Sequence, residues 1–156
     1  MGRVTGSPDD DDIPPVAVVM TPLAAADVLA GSLRLAGGAP LPPGTVVVPT
    51  GGGAVAAALV DPDAAQALVE GVSRVLRDVP VVLLTRHAGR LSATRWSSGR
   101  AGESLTPGLV MTTLDDAVEA LLLGRTAPSQ ATGAIEVARL GRWRAARMVA
   151  AARRSG

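Results

Sequence analysis

Three consecutive glycines at the end of a valine-rich run are the first residues that suggest chemistry. Val46–Val48 favour a strand buried on both faces, and Pro49 ends it because proline cannot donate to a strand ladder. Glycine adopts backbone conformations closed to other residues and lets a ligand or another chain approach closely. In open α/β sheets, loops at the carboxyl ends of strands hold the ligands. We therefore predict a binding site in a loop made of Thr50, Gly51, Gly52 and Gly53.

This glycine-rich loop carries no catalytic side chain. Its backbone N–H groups offer a cradle for an anion or another polar ligand, or a contact with a partner domain. It is not a P-loop, because no Gly-Lys-Ser/Thr follows it. A tight turn that needs positive φ is the alternative explanation of the glycines.

The single histidine is the only side chain that titrates near neutrality without help. His87 lies between Arg86 and Arg90. A catalytic triad would need a Ser or Thr and a carboxylate beside it, and no G-x-S-x-G or similar context is present. We interpret His87 as a solvated turn residue.

Two groups of charged residues have a structural and a functional interpretation. The arginines 86, 90, 95 and 100 are typical of a solvated edge arm that discourages aggregation, with an anion site as the alternative. Asp115 and Asp116 stand at a predicted helix start, where negative charge is favourable. We predict that they cap this helix, and we predict no metal site and no cofactor.

Composition limits the class of protein. A chain of 156 residues is the size of one domain, and its 47% hydrophobic content is mostly Ala, Val and Leu. The net charge of +1 gives no global case for nucleic acid or membrane binding. The absence of Cys removes disulfides and thiolate catalysis, and it is compatible with the cytoplasm. No signal peptide or membrane span is expected, so the predicted location is cytoplasmic.

Apolar runs alternate with helical patterns along the chain. Strands are predicted at 16–20, 45–48, 81–85 and 109–113, and helices at 23–36, 61–79 and 114–123. A turn at Ala88 and Gly89 leads into an alternating arm, and 97–108 is predicted as a loop. This order favours a single three-layer α/β/α domain with a mainly parallel sheet of about four strands. The expected division is an acidic disordered tail at 1–13, the α/β domain at 14–126, and a linker with a basic helix at 127–156.

The C-terminal segment 133–154 is predicted to be an amphipathic helix with a basic outer face. Val137, Leu140, Met148 and Ala152 fall on one side, and most of its arginines fall with Trp143 on the other. We expect the apolar side to pack on the sheet or on a second subunit. Binding of nucleic acid or of anionic lipid by the arginines is the weaker alternative.

The region 16–125 resembles the smaller, C-terminal domain of bacterial-type L-asparaginases/glutaminases. The segment GTVVVPTGGGAV is similar to that family's glycine-rich turn, PVVLLTRHAGRL to its later strand signature, and LVMTTLDDAVEALLLG to its close. Gly51 and Gly53 match the family glycines, and Thr85 with Arg86 matches the later motif. The family's turn carries an Asn at the position that Ala54 occupies here.

This resemblance implies a module that is non-catalytic by itself. The catalytic Thr, Asp and Lys of the family belong to a larger N-terminal domain, and this sequence contains no Lys. The implied partners are a second copy of the chain or a complementary chain that supplies those residues, as in a split amidohydrolase. The implied ligand is small and amino-acid-like, at a site that adds Ala54, Thr85 and Arg86 to the loop.

A second hypothesis comes from another class of protein. A STAS-like regulatory domain that binds a regulatory kinase or an anti-sigma partner also combines short strands, helices and a closing LDDAVEALL helix. Such a domain would switch on a Ser or Thr at a strand-to-helix turn. Thr50 and Thr21 are the available candidates.

Overall fold

A computed structural model describes residues 13–36 and 40–155, so almost all of the expected acidic tail lies outside the described residues. Its elements follow the chain in an order that interleaves strands and helices. The strands are β1 Val16–Met20, β2 Val46–Val48, β3 Val55–Ala58, β4 Val81–His87, β5 Arg90–Ser97, β6 Arg100–Leu105 and β7 Ile135–Glu136. The helices are α1 Ala26–Leu35, α2 Pro62–Leu76, α3 Pro107–Met111, α4 Asp116–Leu122 and α5 Arg142–Ser155, with 3-10 turns at Pro128–Gln130 and Val137–Arg139.

The seven strands form one sheet in the order β6-β5-β4-β1-β3-β2-β7. Every neighbouring pair is antiparallel. The predicted three-layer domain with a mainly parallel sheet of about four strands is therefore wrong.

The physical reason for this error is the short strand β3, which the sequence pattern did not reveal. β1 and β2 run in the same direction and are joined through α1, but β3 lies between them. In the same way, β1 lies between β3 and β4, which α2 connects. This is the split β-α-β arrangement of ferredoxin-like folds. The order of its elements along the chain resembles that of a parallel sheet, although neighbouring strands run in opposite directions.

The edge of the sheet beyond β4 is built from two tight hairpins. Ala88 and Gly89 have φ of 51° and 75°, and Ser98 and Gly99 have φ of 53° and 79°. Positive φ at both central residues is typical of type I′ turns, whose twist matches that of paired strands. The turn at Ala88 and Gly89 was predicted, whereas the expected loop at 97–108 is mostly the strand β6.

Two further predictions fail in the second half of the chain. The segment 109–113 is not a strand, because α3 begins at Pro107 and includes Leu109 to Met111. The C-terminal helix begins at Arg142 rather than at 133, because Ile135 and Glu136 pair with β2. The first error comes from a short apolar run, whose periodicity does not distinguish a strand from a helix.

Apolar side chains cover both faces of the sheet. One cluster joins the sheet to α1, α2 and Ala145 of α5, and it includes Leu29, Leu68 and Trp96. The other joins the opposite face to α4, and it includes Val18, Leu84 and Leu121. The glycine-rich loop lies on the side of the sheet that this second cluster covers.

Candidate functional site

A cleft of about 410 Å³ lies between the sheet and the start of α4. Its floor is a row of three apolar side chains on three adjacent strands. Met20 of β1 is the register partner of both Val55 of β3 and Val82 of β4. Cross-strand partners project from the same face of a sheet, so these three side chains present a continuous apolar surface.

The glycine-rich loop forms one wall of this cleft and is closed by its own hydrogen bonds. The Thr50 hydroxyl donates to the Gly53 carbonyl oxygen at 2.5 Å and accepts from the Gly52 N–H at 3.3 Å. The Gly53 N–H donates to the Thr50 carbonyl oxygen at 3.3 Å. Thr50, Gly52 and Gly53 all line the cleft. The loop is thus a preformed wall rather than an open cradle of free N–H groups.

Of the three glycines in the loop, all within the described residues, only Gly53 has positive φ, at +128°. A methyl group there would lie 2.3 Å from the Thr21 carbonyl oxygen. Ala54 N–H donates to the Leu23 carbonyl oxygen at 2.7 Å, and the Thr21 hydroxyl donates to the Ala54 carbonyl oxygen at 2.7 Å. Close approach of two backbone segments, rather than a ligand, explains this glycine. Ala54 is fully buried and does not line the cleft.

Asp115 lines the cleft beside the loop and joins the loop to α4. Its Oδ1 accepts from the Ala117 N–H at 2.9 Å, which is the predicted helix cap. Its Oδ2 accepts from the Gly51 N–H at 3.0 Å. Among the described residues that line the cleft, Asp115 is the only one with an ionisable side chain. No local pattern predicts this contact, because 64 residues separate its two partners.

Thr85 and Arg86, which the family resemblance added to the site, lie away from the cleft. Arg86 pairs with Val16, four residues along the strand from Val82, which is about 13 Å. Its side chain is buried, and Nε donates to the Leu122 carbonyl oxygen at 2.7 Å. The Thr85 hydroxyl is hydrogen-bonded to that of Ser92. Arg86 therefore holds the last turn of α4 against the sheet.

The remaining candidates are on the surface. His87 is exposed beside its turn, as predicted. Arg95 forms an ion pair with Glu103 across β5 and β6 at 3.3 Å, and Arg90 and Arg100 are exposed. These arginines lie on an edge hairpin and do not converge on a common site.

Hydroxyl groups are the other polar side chains of the described cleft lining. Its hydroxyls, including that of Thr113, which donates to the Val110 carbonyl oxygen at 2.8 Å, have no basic side chain beside them in the lining. Within the part of the chain that the structure describes, no group of three His, Cys, Asp or Glu side chains is placed to hold a metal ion. In the same residues, no helix is both long enough and apolar enough to cross a bilayer.

Comparison with known proteins adds no relative to this description. The chain matches no protein-family model, no curated protein and no solved structure.

Proposed function

We propose that this protein is a binding module that takes a small molecule in the cleft lined by the glycine-rich loop and Asp115, and that it is non-catalytic by itself. The observation that carries the proposal is the apolar row of Met20, Val55 and Val82 beneath a single anchored carboxylate. Small-molecule sites are typically clefts of about 300–1,000 Å³ with apolar linings and few polar groups. The cleft, at about 410 Å³, has this size and this composition.

The lining selects a class of ligand. Asp115 already accepts two backbone N–H bonds, but an ionised carboxylate has about four acceptor sites. A ligand ammonium group or another hydrogen-bond donor fits there, whereas an anion is repelled. The apolar floor then holds an aliphatic or aromatic body. The amine end of an amino-acid-like molecule satisfies both requirements.

A matched ligand series tests this proposal. Hexylamine, hexanol and hexanoate share one apolar body and differ in the charge of the head group. We expect the amine to raise Tm most, since a ligand that binds only the folded state stabilises it in proportion to its occupancy. Asp115→Asn keeps the helix cap and should remove the preference for the amine, while the exposed control Asp116→Asn should keep it. Equal shifts from all three compounds, or no shift from any, would contradict the proposal.

The split amidohydrolase remains a prediction from the sequence resemblance. Because the sheet is antiparallel, the fold gives this idea no support. An ammonia-release assay with a Thr/Lys/Asp-bearing partner chain tests it directly.

The cytoplasmic location and a second copy of the chain as partner are likewise proposed from the sequence. Size-exclusion chromatography with light scattering measures whether two copies associate.

The regulatory-domain alternative depends on a switchable hydroxyl. Thr21 is 5% exposed and its hydroxyl is bonded to Ala54, while the Thr50 hydroxyl closes the glycine-rich loop. Phosphorylation of either would require these contacts to open. These contacts favour small-molecule binding over the regulatory alternative, and mass spectrometry after treatment with a cognate kinase distinguishes them.

A further inference from the structure

The outer face of α5 carries a tryptophan that the fold leaves in solvent. Trp143 is 86% exposed, more than any other large hydrophobic side chain of the described residues. Tryptophan is usually highly buried, so an exposed one on a helix suggests a surface that another molecule covers.

The packing of α5 against α1 fixes which face is free. A methyl group at Gly31 of α1 would lie 3.0 Å from the Ala145 carbonyl oxygen and 3.2 Å from Val149, so the two helices are in close contact there. Ala145 is fully buried, and Met148 packs against the same core. The Arg34 Nε donates to the Leu140 carbonyl oxygen at 2.7 Å and holds the segment that precedes α5.

The opposite face of α5 presents one aromatic side chain among cations. At about 100° per residue, Trp143, Arg147, Ala150 and Arg154 form one row on this face. The row spans about 16 Å at about 1.5 Å per residue, with Arg142 and Arg144 beside it. We call these residues the Trp143 face.

The Trp143 face has no anionic side chain of its own. Residues 142–155 contain five Arg and no Asp or Glu. Within residues 13–36 and 40–155, the ion pairs involve Arg74, Arg95, Arg125 and Arg139, and none involves an arginine of α5. A polyanion is therefore the complementary partner.

We propose that the Trp143 face binds single-stranded nucleic acid, with phosphates on its arginines and one base stacked on Trp143. Arginine binds phosphate with two parallel hydrogen bonds, and base stacking on an exposed aromatic ring is the typical second element of single-strand sites. An anionic bilayer fits less well, because interfacial helices insert several bulky apolar residues. Here, Ala146 and Ala150 are the apolar neighbours of Trp143.

The test measures binding of fluorescein-labelled dT12 by anisotropy between 20 and 200 mM salt. We expect log K to fall linearly with log salt concentration, by about 0.7 per phosphate contacted. Trp143→Ala should weaken binding about 5- to 150-fold, which is the range expected for the loss of one stacked base. Arg147→Gln should make the salt dependence shallower, whereas the matched control Arg100→Gln, on an exposed strand, should not.

Intrinsic fluorescence provides a second measurement. Trp96 is buried and Trp143 is exposed, so quenching by dT12 should disappear in Trp143→Phe. Circular dichroism should show unchanged folding, because the substituted side chains are exposed. Undiminished binding by Trp143→Ala, an equal loss in Arg100→Gln, or binding of phosphatidylserine vesicles or polyglutamate with no binding of dT12 would overturn the proposal.

Discussion

Gly53 and Gly52 are adjacent in the glycine-rich loop, but we expect alanine substitutions at the two positions to have opposite consequences. Gly53 has φ of +128°, and an added methyl group would lie 2.3 Å from the Thr21 backbone oxygen. Gly52 lacks positive φ, and an added methyl group would meet nothing within 4 Å. Comparison of the two alanine variants therefore separates the effect of backbone strain and steric overlap from the effect of losing a glycine.

The magnitude follows from two contributions. Holding alanine in a region that favours glycine costs about 1–3 kcal/mol. Relief of the overlap moves the Thr21 backbone, which weakens the hydrogen bonds between Ala54 and both Thr21 and Leu23, at about 1 kcal/mol each. The sum for Gly53→Ala is about 3–5 kcal/mol, a large part of the roughly 5–15 kcal/mol that stabilises a typical domain.

Urea and thermal unfolding followed by circular dichroism measure this difference. In a domain of this size, Tm changes by about 2–4 °C per kcal/mol, so Gly53→Ala should lower Tm by about 6–20 °C. Gly52→Ala should stay within about 1 kcal/mol of the wild type, with any gain coming from a less flexible unfolded chain. A Gly53→Ala protein as stable as Gly52→Ala would refute the close approach of the two backbone segments.

Three further substitutions test contacts around the cleft and the core. Asp115→Ala should cost about 2 kcal/mol by unfolding titration, because it removes the cap of α4 and the acceptor of the Gly51 N–H, whereas Asp115→Asn should keep the cap and lose only the Gly51 bond; equal losses would argue against capping. Arg86→Lys should lower the free energy of unfolding by about 1.5–3 kcal/mol, since lysine cannot reproduce the Nε bond to Leu122; unchanged stability would contradict that bond. Trp96→Phe should cost about 1–2 kcal/mol, from the volume lost in the core with no hydrogen bond lost, because the buried indole N–H has no partner among the described residues; a loss well above that range would contradict an unpaired N–H.

Local patterns in the sequence identified many elements because local physics produces them. The apolar runs predicted as strands at 16–20 and 81–85 have high β propensity, and they lie in the strands Val16–Met20 and Val81–His87. Asp61 precedes Pro62 and caps α2, with its carboxylate accepting from the Ala64 N–H at 2.9 Å. Asp115 caps α4 for the same reason.

The candidate site could be predicted from the sequence only in part. The binding site expected in the glycine-rich loop stays a prediction; Thr50, Gly52 and Gly53 line a cleft that Asp115 also lines and whose floor comes from three strands. Thr85 and Arg86 were assigned to it by resemblance, and they lie three and four residues along β4 from Val82. No periodicity indicates which distant segments meet.

The sequence by itself determined the apolar strand segments at 16–20 and 81–85, the caps of α2 and α4, and the position of one loop rich in glycine. The tertiary structure alone decided that β3 inserts between β1 and β2, which makes the sheet antiparallel and places the loop against α4. The reason is that the propensity and periodicity of a strand are nearly the same whichever neighbour it pairs with. The choice of neighbour depends on contacts between residues far apart in the chain.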